Sequence, residues 1–121
     1  MNLRDIVKFD DKGLVAAVIQ DATTGQVLMV GYMNAESLDI TLAERRACFW
    51  SRSRQKLWRK GETSGNFLSV EEIRCDCDAD ALVLKCRPAG PTCHTNETSC
   101  FYRKVEEDGA LVLDGDGVAK E

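Results

Sequence analysis

The sequence lacks several features that would assign it to large classes of protein. No stretch approaches the roughly 20 consecutive apolar residues that a membrane helix needs. The first residues carry charges of both signs and develop no apolar signal-peptide segment. Cations are not in excess, because 16 Lys and Arg face 20 Asp and Glu, a net charge of -4. We therefore expect a cytoplasmic protein without a nucleic-acid or membrane partner.

Histidine occurs once, and the six cysteines include no Cys-x2-Cys pair of the structural zinc-ribbon type. An EF-hand is excluded because the acidic cluster is not followed by Gly and Glu at the required spacing. Six cysteines in a secreted protein would suggest three disulfides. In a reducing compartment they instead favour free thiols, metal ligands or buried small side chains.

The chain is long enough for one domain with a real core, at 121 residues of which 44% are hydrophobic and 30% charged. We expect residues 1–113 to form that domain. Residues 114–121 are polar and contain glycine, which predicts a flexible C-terminal tail.

Two apolar runs, residues 14–20 and 26–33, are rich in β-branched side chains, and Gly25 precedes the second. This pattern predicts an antiparallel hairpin. Asn34 then has the position of a helix N-cap, and Leu38 and Leu42 repeat at helical spacing. We expect one main helix over about residues 35–45.

Short segments after this helix, punctuated by glycine and proline, are predicted to be strands. They are residues 47–54, 57–60, 67–77, 81–86, 99–105 and 110–113. The predicted fold class is α+β, with an antiparallel or mixed β-sheet and one main helix.

The stretch from Cys75 to Cys100 contains most of the side chains that bind metals, including five of the six cysteines and the histidine. If residues 75–80 are extended, their side chains alternate and the carboxylates share one face. The carboxylates are Asp76, Asp78 and Asp80, and the thiols on the other face are Cys75 and Cys77. Carboxylates suit magnesium and thiolates suit zinc, although a solvated strand face or turn would give the same acidic pattern.

Cys93 and Cys100 are seven residues apart, and Cys77 lies sixteen residues before the first of them. Three thiolates without a clear fourth ligand would leave a zinc position open for water, as in catalytic sites. Burial as free thiols is the alternative, and it fits Cys48 and Cys86. His94, a lone histidine that would otherwise suggest a surface or packed residue, stands between two candidate ligands and is therefore a candidate catalyst.

The stretch 49–66 combines cations, hydroxyls, two glycines and two tryptophans, and it has two interpretations. It is suited to bind phosphate and to stack an indole on a purine. It also fits a strand pair with aromatic side chains inward and basic side chains outward.

Together these segments resemble one family. They are Phe49-Trp50-Ser51-Arg52-Ser53-Arg54, Leu57-Trp58-Arg59-Lys60-Gly61-Glu62-Thr63-Ser64-Gly65, Asp76-Cys77-Asp78-x-Asp80, Gly90-Pro91-x-Cys93-His94-Thr95 and Ser99-Cys100-Phe101. In order and spacing, over about residues 27–104, they are similar to phosphoribosyl-AMP cyclohydrolase of histidine biosynthesis. Residues 105–121 carry none of these motifs, and Cys75 is an additional thiol that could compete with Cys77 for metal.

The resemblance implies a cytosolic, intertwined homodimer that opens the adenine ring of phosphoribosyl-AMP by hydrolysis between N1 and C6. It implies zinc on Cys77, Cys93 and Cys100, with the site shared between chains, and magnesium on the three aspartates. Zinc would activate the attacking water, magnesium would assist, and His94 would transfer protons as general base and acid. The candidate substrate contacts are Trp50, Arg52, Arg54, Lys60, Ser64 and Asn66.

Two other functions use similar side chains. A zinc nucleobase deaminase requires His-x-Glu followed by Pro-Cys-x-x-Cys, but His94 is followed by Thr95 and Asn96 and no Cys-x-x-Cys exists. A zinc-stabilised binding module would close the metal with four protein ligands and leave no exchangeable water.

Overall fold

The computed structural model describes residues 1–116, and residues 117–121, which include most of the predicted tail, lie outside the described residues. Within residues 1–116 the chain forms two helices and eight strands. In chain order they are α1 (Leu3–Ile6), β1 (Val15–Asp21), β2 (Val27–Met33), α2 (Ala35–Glu44), β3 (Cys48–Ser51), β4 (Lys56–Arg59), β5 (Leu68–Cys75), β6 (Ala81–Pro88), β7 (Arg103–Val105) and β8 (Leu111–Leu113). The predicted α+β class with a mixed sheet is confirmed.

A four-stranded sheet in the order β2-β1-β6-β5 forms the centre of the fold. The predicted β1–β2 hairpin is confirmed, and β5 and β6 also pair as antiparallel neighbours. Local sequence patterns did not predict that β1 pairs with β6 in parallel, with Ala16 opposite Ala81 and Ile19 opposite Leu84. This central pairing places β2 and β5 at opposite edges of the sheet.

Alternation along the central strands directs one set of side chains into the core. Val15, Ala17 and Ile19 of β1 are buried, as are Leu82 and Leu84 of β6. Each leucine or isoleucine buried in this way contributes about 1.5–3 kcal/mol of stability. The core therefore lies on one face of the sheet, where α2 and β3 cover it.

The helix α2 begins as predicted, because the Asn34 side chain accepts a hydrogen bond from the Ser37 backbone N–H at 2.8 Å. Its C-cap is Arg45 in the left-handed conformation, with φ of 57°. Leu38 on its buried face packs into the core. The described chain contains no helix that is both long and apolar enough to cross a membrane.

The strands β3 and β4 form a separate antiparallel hairpin, with Phe49 opposite Trp58 and Trp50 opposite Leu57. Phe49 is buried and lies against Gly31 of β2, where a Cβ atom would collide with its ring. The hairpin is thus docked on β2 through a contact that needs glycine.

The strands β7 and β8 form a third, short antiparallel sheet. A backbone hydrogen bond from Asp114 N–H to Tyr102 O, 2.7 Å long, joins the residue after β8 to the residue before β7. The Asp116 carboxylate then accepts hydrogen bonds from the backbone N–H and side-chain hydroxyl of Thr98. Residues 114–116 therefore lie against the segment that precedes β7.

Candidate functional site

The acidic segment after β5 is a turn, so the prediction that residues 75–80 are extended is wrong. Ala79 N–H donates to Asp76 O at 3.1 Å, and Ala79 has a φ of 64°. The Asp76 carboxylate accepts hydrogen bonds from the backbone N–H groups of Asp80 and Ala81. An aspartate side chain that accepts hydrogen bonds from backbone N–H groups a few residues later stabilises a turn rather than a strand.

This turn brings three carboxylates together instead of alternating them with thiols. Oxygen atoms of Asp76, Asp78 and Asp80 lie within 4.8 Å of one another, and all three residues are exposed. Hydrogen bonds with Asp78 and Asp76 raise the pKa of the Asp80 carboxyl to about 6. A divalent cation with oxygen preference would relieve this crowding of like charges, so the donor set fits magnesium.

Hydrogen bonds within the loop between β6 and β7, and from this loop to β2, fix its conformation. Cys93 N–H donates to Glu97 O, and Asn96 N–H donates back to Cys93 O, with Asn96 in the left-handed conformation at φ of 71°. Cys100 N–H donates to Leu28 O of β2 at 2.8 Å. The Ser99 hydroxyl donates to Val27 O at 2.7 Å. These bonds fold the loop so that its two cysteines approach each other.

Cys93 and Cys100 lie near enough for each thiol to shift the pKa of the other. Burial opposes ionisation of Cys93, but hydrogen bonds from Thr95 and Cys100 lower the pKa of the Cys93 thiol. The Thr95 hydroxyl donates to Cys93 Sγ at 3.0 Å. Cys100 is exposed as a residue, but partial desolvation of its sulfur and the neighbouring Cys93 raise the pKa of the Cys100 thiol to about 11. This sulfur pair is suited to a soft cation such as zinc, whose charge favours both thiolates.

Cys77 is not part of this pair. It lies on the turn that follows β5, whereas Cys100 is bonded to β2 at the opposite edge of the sheet. At the usual strand spacing the two edge strands are about 14 Å apart, whereas thiolates on one zinc ion are about 4 Å apart. In the part of the chain that the structure describes, the three aspartates are the one group of three or more possible ligands within 4.8 Å.

His94 lies in a cleft of about 360 Å³ beside the cysteine loop. Six of the residues singled out in the sequence line it together: Arg54, Lys60, Ser64, Asn66, Cys93 and His94. The cleft also has an aromatic wall that the sequence analysis did not select, Trp58 of β4. Lys60 Nζ lies 5.5 Å from the Trp58 ring centroid, so positive charge and a flat π surface occur side by side.

Trp50 and Arg52 line a neighbouring cavity of about 670 Å³ rather than the His94 cleft. Arg54 and Trp58 belong to both cavities, which therefore adjoin. The Arg52 guanidinium lies 4.0 Å from the Tyr32 ring centroid. The pairing of Trp58 with Phe49 and of Trp50 with Leu57 places the two indoles on opposite faces of the β3–β4 hairpin.

Beside the His94 cleft the chain packs closely at Gly61 and Gly90. A Cβ on Gly61 would lie 2.6 Å from Phe67 N, and Gly61 has a φ of 91°. A Cβ on Gly90 would collide with the Asn66 amide oxygen. These contacts explain why a glycine-containing loop borders the cleft: side chains at the two positions would displace Asn66 and the loop.

Comparison with known proteins gives consistent results over most of the chain. The family model for phosphoribosyl-AMP cyclohydrolase matches residues 29–102. A phosphoribosyl-AMP cyclohydrolase of Chloroherpeton thalassium is 58% identical over 110 residues, which cover 91% of this chain and 79% of that protein. The protein of the same name from Sphingopyxis alaskensis is 56% identical over 110 residues, or 91% of this chain and 87% of the relative. The protein of the same name from Zymomonas mobilis is 58% identical over 104 residues, which cover 86% of this chain and 83% of that protein.

The backbone contacts predict unequal effects for two glycines of the same loop. Gly61→Ala adds a backbone collision to an unfavourable φ, so we expect a loss of about 3 kcal/mol or more in the free energy of unfolding. Gly65 has a similar φ of 81° but nothing within 4 Å of an added Cβ, so Gly65→Ala should cost about 1 kcal/mol. Urea denaturation measures both, and equal losses would contradict the packing argument.

Proposed function

The chain belongs to the phosphoribosyl-AMP cyclohydrolase family, which acts in histidine biosynthesis, and we propose that it opens the adenine ring of phosphoribosyl-AMP between N1 and C6. The family is metal-dependent, and its substrate is a small molecule. The observation that carries the proposal is the cleft in which His94 and Cys93 lie next to cationic and aromatic side chains. Residues 1–113 form the proposed catalytic domain, and the proposed location is the cytoplasm.

The proposed zinc ligands are Cys93 and Cys100 of one chain and Cys77 of a second. The loop that carries both Cys93 and Cys100, and the hydrogen bond from the Thr95 hydroxyl to Cys93 Sγ, support this assignment. The position of Cys77 beyond the opposite edge of the sheet supports a second chain as its source. In a two-fold dimer this arrangement makes two equivalent sites. When bound, zinc supplies a Lewis acid that lowers the pKa of water toward neutrality.

His94 is the proposed proton carrier. It is exposed in the cleft and adjacent in sequence to the buried Cys93, so it faces the space where the substrate ring would react. C6 is electrophilic because N1 carries a ribosyl group. His94 takes a proton from the attacking water and delivers one to the ring nitrogen as the C–N bond breaks.

The walls of the two adjoining cavities supply the proposed substrate contacts. Trp58 offers a face for the adenine, while Lys60 and Arg54 offer charge for a phosphate. Ser64 and Asn66 are the proposed ribose contacts. Trp50 and Arg52, in the neighbouring cavity, are placed for a second part of a substrate that carries two phosphoribosyl groups.

Asp76, Asp78 and Asp80 are the proposed magnesium ligands, supported by the approach of their carboxylate oxygens in one turn. Magnesium ordinarily keeps several waters and binds through a few carboxylates together with substrate phosphate. The aspartates therefore hold a cation that screens or orients a phosphate, while the proton transfer stays with His94.

The function itself is tested by the loss of purine absorbance when phosphoribosyl-AMP is the substrate. We expect chelator-stripped protein to be inactive until zinc is restored, and omission of magnesium alone to weaken turnover. Cys93→Ser and Cys100→Ser should each lose zinc and activity. Cys48→Ser is the matched control, since Cys48 is a buried thiol of β3, and it should retain both. Full activity of zinc-free Cys93→Ser protein would contradict the catalytic zinc.

A role for His94 in proton transfer predicts that His94→Ala lowers kcat by about 10²- to 10⁴-fold. The zinc content, measured on the same purified sample, should stay near one per chain because the imidazole is not a ligand. Parallel loss of zinc would identify His94 as a ligand instead.

The composite zinc site predicts that two inactive variants restore each other. In a mixed dimer of Cys77→Ser and Cys93→Ser chains, one site carries both lesions and the other is intact. Random assembly makes about half of the dimers mixed, so pooled activity should reach roughly a quarter of wild type. The measurement is activity of coexpressed protein whose mixed dimers are verified by mass.

The matched control is coexpression of Cys93→Ser with Cys100→Ser. Cys93 and Cys100 belong to the same loop. Each site in this mixed dimer therefore lacks one thiolate, Cys93 in one site and Cys100 in the other. No recovery is expected from this pair. Inactive mixed dimers of the Cys77→Ser and Cys93→Ser pair would show that all three thiolates come from one chain.

A further inference from the structure

Three cavities adjoin one another and form a single groove. The His94 cleft shares Arg54 and Trp58 with the cavity of about 670 Å³. That cavity in turn shares Lys12 and Arg52 with a third cavity, of about 320 Å³. The groove therefore runs from His94, past Trp58, to a part that we call the Lys12 end, defined by Lys12 and Arg52.

The Lys12 end is rich in positive charge. Lys12, Arg52 and Arg54 line the larger cavity, and no carboxylate among the described residues lines it or the third cavity. Within residues 1–116, the side-chain ion pairs are formed by other cations. Cations that are not held in ion pairs attract and bind an anion such as a phosphate monoester.

Both cations of the Lys12 end come from ordered parts of the chain. The Asp10 carboxylate accepts hydrogen bonds from the backbone N–H groups of Lys12 and Leu14, each at 2.9 Å, and so closes the turn before β1. The hydrogen bond from Leu14 lowers the pKa of the Asp10 carboxyl, and the nearby charges of Lys12 and Arg52 lower it further. The Arg52 guanidinium lies over the Tyr32 ring, 4.0 Å from its centroid. An ordered framework of this kind reduces the entropy that is lost when the two cations bind a ligand.

The chemistry of the proposed substrate determines which of its two phosphates reaches the Lys12 end. N1 is bonded to C6, the carbon that is attacked beside His94, so the ribosyl group on N1 stays in the His94 cleft. N9 lies on the opposite side of the purine, and its ribosyl group extends away from C6. Trp58 lines both the cleft and the larger cavity, so an adenine stacked on Trp58 directs N9 into that cavity.

We propose that Lys12 and Arg52 bind the 5′-phosphate of the AMP portion of the substrate, the phosphate more distant from the bond that breaks. This inference rests on the proposed function and adds the orientation of the substrate in the groove. Lys60 and Arg54 in the His94 cleft are then available for the phosphate of the N1 ribosyl group. Lys12 lies outside residues 29–102, the part that matches the family model.

Binding of substrate fragments tests this orientation without turnover. AMP carries the phosphate on the N9 side, adenosine lacks it, and ribose 5-phosphate represents the group on N1. In calorimetric titrations of the zinc-loaded protein, Lys12→Ala should weaken AMP binding about tenfold, because it removes a charge-assisted hydrogen bond. Binding of adenosine and of ribose 5-phosphate should stay unchanged. Lys12→Arg keeps the charge and should retain the affinity for AMP within about threefold.

The matched control is Lys104→Ala, because Lys104 is an exposed lysine that lines none of the three cavities. It should leave the affinity for AMP unchanged. An unchanged affinity of Lys12→Ala for AMP, an equal loss for adenosine, or a loss for ribose 5-phosphate in place of AMP would each overturn the proposed subsite. A wild-type chain that does not bind AMP would overturn it as well.

Steady-state kinetics test the same contact during turnover. Lys12→Ala should raise KM for phosphoribosyl-AMP about tenfold and change kcat by less than about twofold, because the phosphate is bound equally in the substrate and in the transition state. With an analogue that lacks the 5′-phosphate of its AMP portion, Lys12→Ala should change neither constant. Similar losses with both substrates would contradict the assignment. A wild-type chain without turnover would contradict the proposed function, whereas AMP binding reports on the subsite alone, so the two failures give different results.

Discussion

The parallel pairing of β1 with β6 is the constraint on which the remaining structure depends. It inserts β6 between the N-terminal hairpin and β5, which makes β2 and β5 the two edges of the sheet. The turn that follows β5 is then held at one edge, and the cysteine loop, bonded to Leu28, is held at the other. A single choice of strand partner thus separates Cys77 from the thiols with which it is proposed to share zinc.

The parts of the fold that local sequence determines could be predicted, and the pairing of distant strands could not. The β1–β2 hairpin and α2 follow from alternation, a turn glycine and a helix cap, all within a few residues of one another. Alternation in residues 81–86 identifies a strand but does not specify its partner, so the parallel neighbour was missed. The extended interpretation of residues 75–80 failed because the Asp76 carboxylate bonds to the following backbone and closes a turn.

In the candidate site, too, the sequence identifies reactive residues, whereas their contacts depend on the fold. Cys93 and His94 were recognisable because reactive side chains are concentrated around them, and the structure places them in one cleft with Lys60 and Arg54. Trp50 and Trp58 could not be told apart by sequence, since both are indoles in adjacent strands of one hairpin. In the folded hairpin, Trp58 lines the His94 cleft and Trp50 does not. Thr95 ends the motif that contains Cys93 and His94 but received no role from sequence, because its hydrogen bond to Cys93 Sγ depends on the folded loop.

A zinc ion shared between two copies of the chain would couple dimerisation to zinc binding. If two thiolates come from one chain and the third from another, zinc binds the dimer more tightly than the separated chains, and by linkage the dimer is tighter when zinc is present. A site of this kind forms only after the ordered chains meet, so its rigidity comes from two sheet edges, one in each copy, rather than from the exposed turn that carries Cys77.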